Sequence, residues 1–511
     1  MRQKKIHLIR LDGPVFGSRR DFLGYGGALI GASILPYLYP RAAFAQSATF
    51  DYYISPSGSD SNAGTLTSPW AITAINTKQG IYAGHRVGLM DGTYSCASLM
   101  SNSGFYSPAL NIAAGSSSAP TVIQSVNPRM AILNGGGSKS SNPSSGAIIG
   151  SNQPGGYITI DGLTVTNNYG AAVVIGTAGP TSDTSNASKM PGVVVQNCEI
   201  YNINLTGGPT GSNVPALVCG ALLAPLISNN KIHDVVANNG DEHNVCGMQL
   251  WGCANGTIQF NTIYNAVNSI YIKNLGNRNN SVRFNYCQRG TTSPGQGGDA
   301  IQVDDIGPPG TDTYFNNNVL YADAAGAAPI GPDFQPAFSC RVHFYNNTIY
   351  VNATQGTCQI FSIGPLVSYF NNIFYRVGGT SYRGDLDFNQ GGLALIDYNC
   401  YFNSSFACGL SAPGTQSGPA IYNSLSTWKA ATGGESHSIT ANPMFTGTGA
   451  YAAAMQLAGG SPCIGAGRSD GTSGGSPCDM GAWGNGATQV GCNFTSAGVL
   501  TPDPPTIISV T

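Results

Sequence analysis

Between residues 241 and 305 the sequence gathers side-chain types that are scarce elsewhere in it. Charged residues make up 9% of the 511-residue chain, against a usual ~25%. Yet Lys273, Arg278, Arg283 and Arg289 fall within one short stretch. Three alternating segments accompany them: Met248-Gln-Leu-Trp251, Ile270-Tyr-Ile-Lys273 and Ile301-Gln-Val-Asp304. If their apolar members point inward, Gln249, Tyr271 and Gln302 form one outward column, and Trp251, Lys273 and Asp304 a second. Trp251 and Tyr271 would then offer flat faces for sugar rings, and Gln249 and Gln302 amides for hydroxyls. The cations would hold the carboxylates of acidic sugars. Glu242 and His243, just ahead of the first segment, extend this binding set. Asp299, Asp304 and Asp305 are hard oxygen donors of the kind that bind Ca²⁺. Together with Glu242 they also offer the two carboxyl groups that glycoside hydrolysis needs, about 5–5.5 Å apart for retention or about 6.5–9.5 Å for inversion. The bland counterpart is structural: a Lys273–Asp304 ion pair between coils, Trp251 covering an apolar edge, and Asp304-Asp305-Ile-Gly-Pro-Pro opening a turn.

Such columns require elements that stack neighbouring strands. Repetition supplies them. Leu226-Ile-Ser-Asn-Asn-Lys-Ile-His, Ile258-Gln-Phe-Asn-Thr-Ile-Tyr, Val282-Arg-Phe-Asn-Tyr-Cys, Val342-His-Phe-Tyr-Asn-Asn-Thr-Ile-Tyr and Val367-Ser-Tyr-Phe-Asn-Asn-Ile-Phe-Tyr share one plan: short strand, Asn, short strand. Aligned, they place Asn230, Asn261, Asn285, Asn318, Asn347, Asn372 and Asn399 in one column at intervals of 24 to 33 residues. Alternation gives each strand a buried and a wet face. Asn accommodates a left-handed turn, and stacked Asn amides can bond from coil to coil. Helices do not give this pattern, and a propeller blade needs about 40–45 residues. The expectation is an all-β chain, a single right-handed parallel β-helix of about ten coils with an N-terminal cap. His233 and His343 fall in the corner repeats and read as structural.

Composition narrows the class further. Glycine numbers 69, about twice average usage, which excludes coiled coils and long charged helices. No Lys/Arg run follows residue 45, so a nucleic-acid partner is not expected. Residues 1–45 carry Lys4, Lys5 and Arg10, then Ser18-Arg19-Arg20-Asp21-Phe22-Leu23, an apolar Gly24–Tyr37 stretch and Ala43-Phe44-Ala45. This resembles a twin-arginine export signal, which implies a periplasmic or secreted protein exported already folded. No later segment reads as a membrane span. All 13 cysteines follow residue 45. Near pairs are Cys246/Cys253, Cys400/Cys408 and Cys463/Cys478, so some disulfides are expected in an oxidising destination, with at least one cysteine left over. Residues 46–485 should form the β-helix with its cap and closing segment, and 486–511 a tail. Oligomeric state is open.

The Asn-rich repeat resembles the pectin-lyase-like parallel β-helix superfamily. So do the opening Asp51-Tyr-Tyr-Ile-Ser-Pro-Ser-Gly-Ser-Asp and the closing Ser461-Pro-Cys-Ile-Gly-Ala-Gly with Cys478-Asp-Met-Gly-Ala-Trp483. The superfamily holds lyases, hydrolases, epimerases and non-catalytic adhesins, so the resemblance implies fold more than reaction. Its exported lyases use a strand Lys as base with an Arg nearby and often Ca²⁺. Carried over, Lys273 matches the base and Arg283 or Arg289 the assisting Arg. Lys273 would then remove the proton α to a uronate carboxylate, and Ca²⁺ or Arg would stabilise the enediolate. A base must be neutral, which nearby cations or loss of water favour; pairing with Asp304 opposes it unless calcium takes that carboxylate. The reading is therefore a polysaccharide lyase of acidic glycans. A hydrolase using the 299–305 carboxylates is the alternative, and a non-catalytic glycan-binding protein the third. Gly298-Asp-Ala-Ile-Gln-Val-Asp-Asp305 is only loosely like the acidic strand of polygalacturonases, and no Gly-His-Gly follows.

Overall fold

The computed structural model describes residues 49–493 except 103–106, 138–145, 178–181, 206–213, 236–244, 290–299, 305–306, 309, 323–339, 353–365, 378–385, 390–392, 403–407, 412–419, 423, 448–450, 470–477 and 485–486. Residues 1–45, expected from sequence to be an export signal, and the last residues of the expected tail therefore lie outside the described residues, as do Glu242, His243, Asp299 and Asp305.

Each coil repeats the same path. Thr257–Gln259 enters a first sheet, Thr262–Ala266 a second and Asn268–Lys273 a third; Ser281–Arg283 then returns to the first sheet one layer on. Like strands pair in parallel throughout the three stacks, the arrangement of a parallel β-helix. Among the described residues twelve strands stack in the first sheet, eleven in the second and seven in the third. The stack exceeds the ten coils expected because early strands such as Tyr52–Ile54 and Arg86–Leu89 lack the corner asparagine that marks the repeat.

Inward residues form one continuous core. Ile227, Ile258 and Val282 from the first sheet meet Ile232, Ile263 and Cys287 from the second and Leu250, Ile272 and Val303 from the third. Among the described residues the last third-sheet strand is Ile301–Asp304. Beyond it the inward side chains of the first sheet enlarge to Phe315, Phe344 and Tyr369.

The corner between first and second sheets explains the repeat. Each ladder asparagine is buried, and its Oδ1 accepts both the backbone N–H and the Nδ2 of the asparagine one coil before. Asn285 N and Nδ2 each lie 3.0 Å from Asn318 Oδ1, and the same holds for Asn230 to Asn261 and Asn261 to Asn285. Nδ2 also reaches a carbonyl of a neighbouring strand, as Asn285 does to Ile258 at 3.0 Å. The left-handed residue is the one before: Asn229, Phe260, Phe284, Asn317, Asn346, Asn371 and Tyr398 have φ of 53° to 60°. The ladder position thus serves hydrogen bonding and its predecessor serves the turn. Asn399 ends the series. Its Nδ2 donates to the buried Glu435 carboxyl at 3.2 Å, and Tyr401, Ser438 and Trp428 donate to the same group. Burial pushes the Glu435 carboxyl above its ordinary range, against those four donors.

A C-terminal strap runs back along the outside of this corner. Asn371 donates to Arg468 O (2.9 Å), Asn346 to Asp479 O (2.8 Å) and Asn317 to Ala482 O (3.1 Å). Further back, Asn493 N donates to Asn229 Oδ1 at 2.7 Å. It covers a second apolar cluster of Tyr286, Val319, Tyr321, Ala452, Met455, Ala482 and Val490. Among the described residues no helix is long and apolar enough to cross a membrane.

Candidate functional site

The third sheet aligns the three segments in the expected register. Gln249 pairs with Tyr271 and Tyr271 with Gln302; Trp251 pairs with Lys273 and Lys273 with Asp304. Met248, Leu250, Ile270, Ile272, Ile301 and Val303 all face the core at 0–1% exposure. Adjacent strands lie about 4.8 Å apart, so outward side chains one coil apart touch. The Lys273 ammonium sits 5.2 Å from the Trp251 ring centre and 5.1 Å from that of Tyr271, within cation–π range of both. Gly220 stands beside Trp251 in the preceding strand. At that register position no side chain faces the indole.

The outward columns differ in exposure. Trp251 and Lys273 are half-buried. Gln249, Tyr271 and Gln302 are 1%, 6% and 4% exposed, so they are not the open contacts expected from alternation alone. Their column runs back through Val218 and Val174 to Gly150, and the two valines form a small apolar cluster with Ala147 and Ala171. Asn268 Nδ2 donates to Gln302 Oε1 at 2.7 Å, within this layer.

The two arginines divide differently from Lys273. Arg283 lies on the first sheet between Gln259 and Asn316, bonds Gln259 Oε1 through Nε at 3.0 Å and rests 6.0 Å from the Phe284 ring centre. It belongs to another face, because the strand after the 274–280 turn has already left the third sheet. Arg289 ends a second-sheet strand opposite Ala266 and Ala322. For Asp304 the strand position is described.

Cations that the alternation did not single out stand nearer. Lys189 is buried, and its Nζ donates to Gly252 O at 2.6 Å and Asp183 O at 3.0 Å. Gly252 follows Trp251, and its N–H bonds Lys273 O at 3.1 Å. Lys189 therefore pins the turn that carries the indole. Burial, then the adjacent Arg278, lowers the Lys189 pKa. Arg278 is also buried and bonds Gly276 O and the Asn186 side chain. Lys189 belongs to no alternating strand, so no periodic signal marks it.

A second charged cluster lies on the outer face of the second sheet. Lys231 reaches Glu199 at 3.0 Å; His233 reaches Glu199 at 3.3 Å and Asp234 at 2.7 Å. The His233 ring is stacked between Tyr201 and Tyr264, at 5.2 and 4.8 Å. The rings stack on one another along the sheet, so their faces are taken. Among the described residues no group of three or more His, Cys, Asp or Glu could hold a metal ion; the calcium donors proposed from sequence rest on side chains outside them.

No family model matches the sequence, and no curated protein matches it. Solved structures do. The chain is similar to the crystal structure of pectate lyase Pel9A, with TM-score 0.52 and 13% identity over 84% of this chain and 95% of that one. Similarity extends to XylC in complex with xylose, at TM-score 0.41 and 12% identity over 71% and 84%. A rhamnogalacturonan lyase matches at TM-score 0.33 and 16% identity over 64% and 83%. Combined with the three parallel stacks and the asparagine ladder, the first of these likenesses shows that the chain has a parallel β-helix fold like that of the pectate lyase.

Proposed function

We propose that this protein is an exported polysaccharide lyase that cleaves uronate-containing glycans by β-elimination, with Lys273 as the base. The observation that carries the reading is the Lys273 amine on the third sheet's outer face, flanked by the Trp251 and Tyr271 rings and in register with Asp304. A pectate lyase with the same fold is consistent with it. Trp251 supplies a ring edge and face for a sugar, and Lys189 and Arg278 supply positive charge behind the turn that holds it. Lys273, deprotonated, would take the proton α to the uronate carboxylate as the C4–O bond breaks, and the departing glycosidic oxygen would take a proton from the resulting Lys273 ammonium or from water. The carboxylates Asp299, Asp304 and Asp305 suit Ca²⁺ in number and kind, and calcium bound there would supply positive charge for the substrate carboxylate. Arg283 is left out of the chemistry, because it lies on the first sheet.

The test is turnover of purified protein on acidic and neutral glycans, with and without chelator, reading absorbance of unsaturated uronate and new reducing ends. Both signals should rise together, and Lys273→Ala should lower the rate by about 10²–10⁴-fold, the usual contribution of general base catalysis. Reducing ends without absorbance would replace elimination by hydrolysis. Binding without turnover by the intact protein would leave a glycan-binding role.

A further inference from the structure

We infer that Cys400 and Cys463 form a disulfide that latches the C-terminal closing segment to the last coil of the β-helix. Cys400 opens the final strand of the second sheet, Cys400–Phe402. Cys463 belongs to the Ser461–Gly467 turn where the strap begins. Both side chains are fully buried in one apolar cluster with Ile373 and Met480, where the structure holds them as two free thiols. Backbone bonds fix each end. Cys400 N donates to Asn372 O at 2.8 Å in the corner, and Met480 N donates to Cys463 O at 2.9 Å. Neighbours in sequence are less well placed. Cys478 is taken by the ladder, its sulfur accepting from Asn371 Nδ2 at 3.0 Å and lying 2.9 Å from Arg468 O. The pairs expected from spacing alone, Cys400/Cys408 and Cys463/Cys478, give way to one pair distant in sequence.

The chemistry is ordinary thiol–disulfide exchange. The Cys400 thiol donates to Ala441 O at 3.2 Å. In this sequence of steps Cys463, once deprotonated, is the attacking thiolate. It displaces one thiolate from a small disulfide such as oxidised glutathione. Cys400 then loses its proton to solvent and displaces the mixed-disulfide sulfur, releasing the second glutathione thiolate. Two protein thiols are oxidised and one glutathione disulfide is reduced. Because both thiols are sealed from solvent, exchange proceeds while the closing segment opens or before it docks.

The experiment is peptide mapping of the full-length protein, without reduction, after incubation with oxidised glutathione and quenching with an alkylating agent under denaturing conditions. The expected result is one linked peptide pair containing Cys400 and Cys463, and its persistence in Cys408→Ser and Cys478→Ser. Reduction should lower the thermal midpoint of the wild type and leave that of Cys463→Ser unchanged. Alkylation of both Cys400 and Cys463 in the oxidised wild type, or linkage of either to another cysteine, would overturn the inference. Mapping the wild type keeps it testable even if a serine variant fails to fold.

Discussion

At the scale of single residues, the chain concentrates its few charges where they pair. Glu199 is held down to about 2: burial opposes its ionisation, but His233 and Lys231 more than offset that. His233 shifts upward, since hydrogen bonds to Asp234 and Glu199 outweigh the burial that would lower it. The two shifts act in opposite directions with pH. The Glu199 contribution is complete above its ordinary value of 4.5 and is lost as pH falls toward about 2. The His233 contribution is complete below its ordinary 6.5 and is lost as pH rises through its raised folded value. Stability from this cluster should therefore peak between pH 4.5 and 6.5. Thermal midpoints across about pH 2 to 9 should show that maximum, and Glu199→Gln should flatten the acid limb while costing about 1–2 kcal/mol near neutral pH. An unchanged acid limb would place the ionisation that governs acid stability elsewhere.

At the scale of elements, the asparagine ladder is a buried hydrogen-bond chain along one corner. Replacing Asn285 by Ala removes the acceptor of Asn261 N and Nδ2, and leaves Asn318 Oδ1 and Ile258 O with fewer donors. Each buried group left unsatisfied costs about 1–3 kcal/mol. The expected loss in denaturant unfolding is thus about 3 kcal/mol or more. By contrast Ser118→Ala, which removes an exposed 3.3 Å bond to the Ser116 hydroxyl, should cost under about 1 kcal/mol. The contrast also shows what the sequence makes legible. Ladder and third-sheet columns depend on local alternation and a constant corner residue, so Trp251, Lys273 and Asp304 align from their spacing alone. Arg283 does not, because its sheet depends on how many residues the preceding turn consumes. The burial of Gln249, Tyr271 and Gln302 is equally hidden. Alternation separates inside from outside of one sheet, but says nothing of a second layer such as Val174 and Val218 with Ala147 and Ala171. Lys189 acts through carbonyls of a remote turn, and such a contact leaves no pattern in its own neighbourhood.

At the scale of the whole β-helix, the strap changes how the coils depend on one another. In a solenoid each repeat packs only on its neighbours, so stability is a sum of local terms and ends can open independently. Here residues 468–493 touch corners from Asn371 back to Asn229, and Trp483 joins the cluster over Tyr286 and Tyr321 with its Nε1 donating to Ala452 O at 2.9 Å. Each bond is modest, about 0.5–1.5 kcal/mol net, but the bonds span coils that otherwise never meet. To open one coil under the strap, the strap must be lifted from several. The intact protein should therefore show hydrogen exchange from the strands between Lys231–Val235 and Ile373–Val377 with similar opening free energies. Truncation after Gly460 removes that linkage and bares the outer faces of Tyr286, Val319 and Tyr321. Exchange should then become graded, fastest at Ile373–Val377 and Cys400–Phe402 and slowest near Lys231–Val235, and the variant should self-associate with rising concentration through the bared patch. Uniform protection in the truncated chain would show that nearest-neighbour packing alone makes these coils cooperative, and would reduce the strap to a cover.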